Sequence, residues 1–147
     1  MTKEEEYAAL LPQVESLCEG EDDMTAKMAN VAALLHHALG FWWTGFYRVS
    51  SDLILGPFQG PIACVHIGYG KGVCGTAWKE RRTVVVPDVE EFPGHIACSS
   101  ESRSEIVVPM LRDGEVVAVL DIDSREKAAF DEVDARWLER ITEAMNI

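Results

Sequence analysis

Residues 105–123 read EIVVPMLRDGEVVAVLDID, two runs rich in β-branched side chains on either side of Asp113-Gly114. An Asp-Gly pair suits the positive φ values of a tight primed turn, so the runs are expected to be antiparallel neighbours in a sheet. Side chains alternate along a strand, which puts Asp121 and Asp123 on one face, within reach of a pocket shared with Glu105. Close carboxylates raise one another's pKa, and one can then stay a proton donor near neutrality. The plainer reading is a polar strand end. Two acids on one face beside apolar residues favour a site.

Upstream, FWWTGFYRV (41–49), LILGPF (53–58), IACVHI (62–67) and TVVVP (83–87) are further strand-like runs bounded by Gly, Pro or Asp. GKGVCGTAWKE (70–80) reads as a short helix between strands. FDEVDARWLERITEAM (130–145) reads as a closing helix with Phe130, Val133, Trp137, Leu138 and Ile141 inward. At the start of the chain, Tyr7, Leu10, Leu11, Val14, Leu17 and Cys18 recur at helical spacing. A second helix is expected from Asp22 or Asp23 to Gly40, with Met24, Met28, Val31, Leu34 and Leu35 inward. This order predicts an α+β fold: a central antiparallel sheet with its helices segregated. The stretch from Asp88 to Ser104 is left as a long loop, and loops of that length in a small domain usually carry function.

With 147 residues and 48% hydrophobic content the chain is expected to form a single domain, residues 1–147. Thirteen basic against twenty-five acidic residues give a net charge of −12, which argues against nucleic acid or anionic membrane as partners. The opening MTKEEEYAALLPQ has acids where a signal peptide needs positive charge. A cytoplasmic location is expected, with thiols that start reduced.

Four cysteines are present. Cys18 belongs to an apolar helical face and reads as packing. Cys64 lies in a strand-like run, where packing is again the plain reading, Cys74 in a Gly-flanked turn, and Cys98 in the long loop. No C-x-x-C pair occurs, and neither the cysteines nor His36, His37, His66 and His95 show the paired spacing of a zinc site, so no metal is expected. A loop cysteine can be exposed and able to swing toward a second thiol, which suits a nucleophile. His95 has no evident orienting partner and is given no catalytic part. Trp43 and Tyr47 share strand parity and suit the wall of an apolar pocket. GYGKG (68–72) lacks the full phosphate-loop spacing and reads as a turn.

The stretches WTGFY (43–47), GPFQGPIACVHIGYGKGVCGTAW (56–78), VPDVEEFPGHIACSSESRSEIVVPM (86–110) and VLDIDS (119–124) resemble the free methionine-(R)-sulfoxide reductases, single-domain members of the GAF superfamily. The resemblance implies a GAF-like fold and reduction of the free amino acid sulfoxide through a cysteine sulfenic acid and a disulfide. It implies Cys98 as nucleophile, Cys64 as main resolving cysteine and Cys74 as a further cysteine in exchange. It further implies that Glu105, Asp121 and Asp123 hold the substrate's ammonium and polarise its sulfoxide. Trp43 and Tyr47 would wall the methylthio end, and backbone amides near Ile96 and Ala97 would bind the carboxylate. No cofactor is implied. Thioredoxin is the implied reductant, and a homodimer is compatible with the family. Two rival readings are a non-catalytic GAF sensor of small molecules or redox state, and a redox-switch interaction protein.

Overall fold

The computed structural model describes residues 1–96, 98 and 100–147. The elements run α1 (Lys3–Cys18), α2 (Met24–Leu39), β1 (Trp43–Val49), β2 (Leu53–Gln59), β3 (His66–Ile67), α3 (Gly72–Glu80), β4 (Val84–Val86), a single 3-10 turn (Val89–Glu91), β5 (Ser104–Arg112), β6 (Glu115–Ser124) and α4 (Glu132–Ala144). The strands form one sheet in the order β3-β2-β1-β6-β5-β4, and every neighbouring pair is antiparallel. The α+β expectation holds, and so does the turn chemistry: Asp113 and Gly114 have φ values of 52° and 80°. Asp23 caps the N-terminus of α2 through its side chain, and Gly40 closes it in the left-handed conformation.

Strand alternation divides the sheet into two faces. Phe46, Ile106, Val108, Met110, Ala118, Leu120 and Ile122 pack against α1, α2 and α4. Trp43, Tyr47, Val107 and Val119 point the other way, where α3 covers them with Val73, Cys74 and Ala77. The helices are therefore not segregated to one face. The short helix between β3 and β4 roofs the second face, and the candidate site residues gather beside it.

Three local expectations are corrected. IACVHI keeps only His66–Ile67 as strand; the run opens directly after Gly60-Pro61, and Pro lacks the N–H a ladder needs. Cys64 therefore sits in irregular backbone before β3, not in a strand. Cys74 is inside α3 and buried, not in a turn. Leu17, expected inward, is exposed near the end of α1.

The helical layer has its own polar anchor. The Tyr7 hydroxyl donates to Asp134 Oδ1 at 2.6 Å, and Lys3 Nζ donates to Asp134 Oδ2 at 2.6 Å. Asp134 also completes the capping box of α4. Tyr7→Phe deletes a buried hydrogen bond to this group and is expected to cost about 1.5–3 kcal/mol. Thermal unfolding should show a melting temperature lower by about 2–4 °C for each kcal/mol lost. An unchanged melting temperature would mean that the bond contributes nothing net.

Among the described residues, no helix is long and apolar enough to cross a membrane.

Candidate active site

Register fixes the acids. Glu105 on β5 pairs directly with Asp123 on β6, and Asp121 lies opposite Val107, one step along the same face. All three line one pocket together with Trp43, Tyr47, Cys74, His95, Ile96 and Cys98. Glu105 and Asp121 are buried, at 6% and 5% exposure. The Ser102 hydroxyl donates to Asp123 Oδ1 at 3.1 Å, and His95 Nε2 stands 3.9 Å from Glu105 Oε1.

Burial first, and then the charge of Asp121, hold the carboxyls of Glu105 and Asp123 well above the usual carboxylate range. Asp121 is also raised by burial, but its neighbours Glu105 and Cys74 work against the rise. The trio is thus built to keep protons on some members while Asp121 ionises most readily. Desolvation lowers the pKa of His95, so no fixed cation balances these acids from within the described lining.

The aromatic wall is tied to the cysteine segment. Trp43 Nε1–H donates to the carbonyl of Pro61 at 2.9 Å, and the Tyr47 hydroxyl donates to the carbonyl of Cys64 at 2.9 Å. The two rings stack 6.2 Å apart, and Phe58 also stacks on Trp43 at 5.3 Å. Side chains that read as candidate pocket wall also hold the irregular backbone around Cys64 in position.

Cys64 and Cys98 form a disulfide with their Cα atoms 5.5 Å apart. Cys98 is exposed and Cys64 half-buried, and the Cys98 N–H donates to the carbonyl of Ile96 at 3.1 Å. Cys74 and Cys18 are free and buried. Burial and the neighbouring acids push the Cys74 thiol well up, which makes it a poor first nucleophile. Its Sγ faces Glu105 Oε2 at 4.0 Å. Cys18 packs in the helical layer on the opposite face of the sheet.

Of the residues singled out from sequence, Cys74, Cys98, Trp43, Tyr47, Ile96, Glu105, Asp121 and Asp123 line the pocket, and Cys64 joins it through its bond to Cys98. Ala97 lies outside the described residues. Sequence reasoning missed His95 and Ser102, whose partners are strand acids distant in the chain. It also missed Gly72, which has φ +59° and whose absent Cβ would stand 3.2 Å from the Ile96 side chain. GYGKG therefore does more than turn: its last glycine lets the long loop settle over α3.

The profile of the GAF domain matches residues 18–147. "GAF domain-containing protein A" of Dictyostelium discoideum is 52% identical, over 99% of this chain and 93% of its own length. The free methionine-R-sulfoxide reductase of Saccharomyces cerevisiae is 42% identical, over 99% of this chain and 87% of its own. The structure of free methionine-R-sulfoxide reductase from Neisseria meningitidis in complex with its substrate superposes with a TM-score of 0.97 at 50% identity, covering 99% of this chain and 89% of that one. The chain belongs to the free methionine-R-sulfoxide reductase family. The GAF fold of that family here joins one strand hairpin carrying three acids to three cysteines from separate segments. In a member of this reductase family, a thiol pair beside carboxyls of raised pKa has the parts that reduction of a sulfoxide needs: a sulfur nucleophile, a proton source and a second thiol.

Proposed function

We propose that this chain reduces free L-methionine-(R)-sulfoxide to L-methionine, with Cys98 as the attacking thiol. The observation that carries the reading is the Cys64–Cys98 bond at a pocket floored by the buried Glu105 and Asp121 and the half-buried Asp123. The Cys98 thiolate attacks the sulfoxide sulfur while the oxygen takes up a proton from the carboxyl cluster, and the resulting hydroxyl passes from the substrate sulfur to the Cys98 sulfur as the transient sulfur–sulfur bond breaks. Methionine departs, reduced by two electrons, and Cys98 is left as a sulfenic acid. The Cys64 thiol then attacks that sulfur, water leaves, and the disulfide closes. An external dithiol of the thioredoxin class reopens it by exchange and is itself oxidised. Cys74 serves as a further exchange thiol. No cofactor enters.

Recognition follows from charge. Asp121 and its neighbours take the substrate's ammonium, backbone amides near Ile96 and Ala97 its carboxylate, and Trp43 and Tyr47 the methylthio end. Peptide bonds on both sides would remove both charges, so sulfoxide within a polypeptide is excluded. A homodimer is compatible with this reading. A reducing cytoplasm suits the reductant.

The test is methionine release from racemic free methionine sulfoxide, with thioredoxin and its reductase supplied. Consumption should stop at half the substrate, with the S epimer left over. No consumption would favour the sensor reading of a GAF domain.

The two thiol tasks separate in Cys64→Ser. One methionine per enzyme should still form in a single turnover, while the thioredoxin-dependent steady-state rate falls by about 10-fold or more. Mass spectrometry after substrate alone should find a Cys98–Cys74 disulfide or a trapped sulfenic acid in place of the Cys64–Cys98 bond. Recycling at the full rate would remove Cys64 from the resolving role.

A further inference from the structure

The spacing of cysteines and histidines along the chain argues against a metal centre, but spacing tests only donors that are neighbours in sequence. The fold brings together donors from three elements. Cys74 Sγ on α3 and carboxylate oxygens of Glu105 on β5 and Asp121 on β6 lie within 4.8 Å of one another. Cys74 Sγ is 4.0 Å from Glu105 Oε2, and all three residues are buried. We propose that Cys74, Glu105 and Asp121 form a site for a thiophilic divalent cation of the zinc class, on the floor of the pocket.

Three observations carry this beyond a cluster of acids. Asp121 Oδ1 is buried without a hydrogen-bond partner among the described residues, and Asp121 lines the pocket rather than the sheet interior. A buried carboxylate oxygen without a donor is costly, and a cation supplies what it lacks. The described lining also contains no lysine or arginine that would already neutralise the acids. The third observation is the sulfur. An ammonium group asks only for oxygen acceptors, whereas a thiol set against two carboxylates makes a mixed sulfur–oxygen donor set.

That donor set selects the ion. Magnesium and calcium prefer all-oxygen shells, whereas a thiolate ligand favours zinc and its chemical analogues. Bond lengths of about 2.3 Å to sulfur and about 2.0 Å to oxygen put tetrahedral donors roughly 3.5 Å apart. Side-chain shifts on the order of an ångström therefore close the site. Three protein donors leave a fourth position open toward the pocket, where His95 stands 3.9 Å from Glu105 Oε1. Binding takes the proton from the Cys74 thiol, so it strengthens as pH rises. The disulfide keeps Cys64 and Cys98 from competing as ligands.

The cation is a ligand of the pocket and not a partner in the reaction. It occupies the carboxylates proposed above to receive the substrate's ammonium, so metal and amino acid exclude one another. That consequence rests on the proposed reductase reading; the binding itself does not.

Cobalt(II) is the probe, because a cobalt–thiolate bond gives a charge-transfer band in the near ultraviolet. Titration into the wild-type protein with the Cys64–Cys98 disulfide closed should raise this band to a plateau at one equivalent, and zinc should bleach it. Cys74→Ser should lose the band, Asp121→Asn should weaken binding by about 10-fold or more, and Cys18→Ser should bind as wild type. Should Cys74→Ser not fold, as judged by circular dichroism, Asp121→Asn and Cys18→Ser carry the same decision. Absence of the band in the wild type, its survival in Cys74→Ser, its loss in Cys18→Ser or unchanged affinity in Asp121→Asn would overturn the site. Saturating methionine should bleach the band in the loaded wild type; persistence of the band would overturn the overlap of the two ligands. A cobalt band in a protein that turns over no sulfoxide would remove the reductase reading and keep the site. Turnover without a band would do the reverse.

Discussion

Cys98→Ser is expected to lower methionine formation on the order of a thousandfold or more, even when a small dithiol replaces the protein reductant. The serine hydroxyl keeps the size of the thiol but is far too weak an acid to supply an anion at neutral pH. The exposed position of Cys98 in the long loop suits attack, whereas the buried Cys74 thiol is pushed well up by burial and nearby acids. Single-turnover assays distinguish loss of attack from loss of recycling. Near-normal methionine formation by Cys98→Ser would move the nucleophile to Cys74. Cys18→Ser, across the sheet from the pocket, should turn over as wild type.

Glu105→Gln should cut kcat by about 10²–10⁴-fold, the usual loss when a positioned proton donor is removed. The same change should stabilise the protein at neutral pH. Burial and the charge of Asp121 hold the Glu105 carboxyl well above the usual range, so the folded state binds more protons than the unfolded chain. Stability from such a group is fully present below the unfolded pKa and is lost as pH rises through the folded one. The amide cannot ionise, so the melting temperature of the variant should rise relative to wild type from mildly acidic toward neutral pH. The gain should be about 2–4 °C for each kcal/mol of relieved cost. A variant that is slower but no more stable would keep the catalytic part and remove the electrostatic one. Unchanged kinetics would return Glu105 to a structural role.

How much of this was legible in the sequence depended on the range of the physics involved. The β5–β6 hairpin and the shared face of its acids were readable because turn chemistry and alternation are local, but the bulge between Met110 and Leu111 that sets Glu105 opposite Asp123 was not. The ends of α2 were readable from Asp23 and Gly40 for the same reason. The division of helices between two faces was not, because periodicity shows that α3 has an apolar side without saying which side of the sheet it covers. His95 and Ser102 gain their meaning from Glu105 and Asp123, and such long-range pairs leave no local pattern. The cysteine roles came from resemblance. Alone, Cys64 read as packing in a strand, and nothing within the apolar run 62–67 marks the residues before His66 as irregular.

The acids and the thiols differ in how they are mounted. Glu105, Asp121 and Asp123 sit on two central, mutually paired strands, while Cys64 and Cys98 come from irregular segments outside the strands. A catalytic cycle that makes and breaks a covalent cross-link must reshape its own surroundings at every turnover. Here that rearrangement can be confined to the connecting segments, because the hairpin has no part in it. On the proposed mechanism, the charge pattern on the hairpin is expected to persist through oxidised and reduced states alike, with only the sulfur side reset. Hydrogen exchange should accordingly be slow and insensitive to redox state in the hairpin, with the difference between the two states concentrated around residues 60–65 and 92–103.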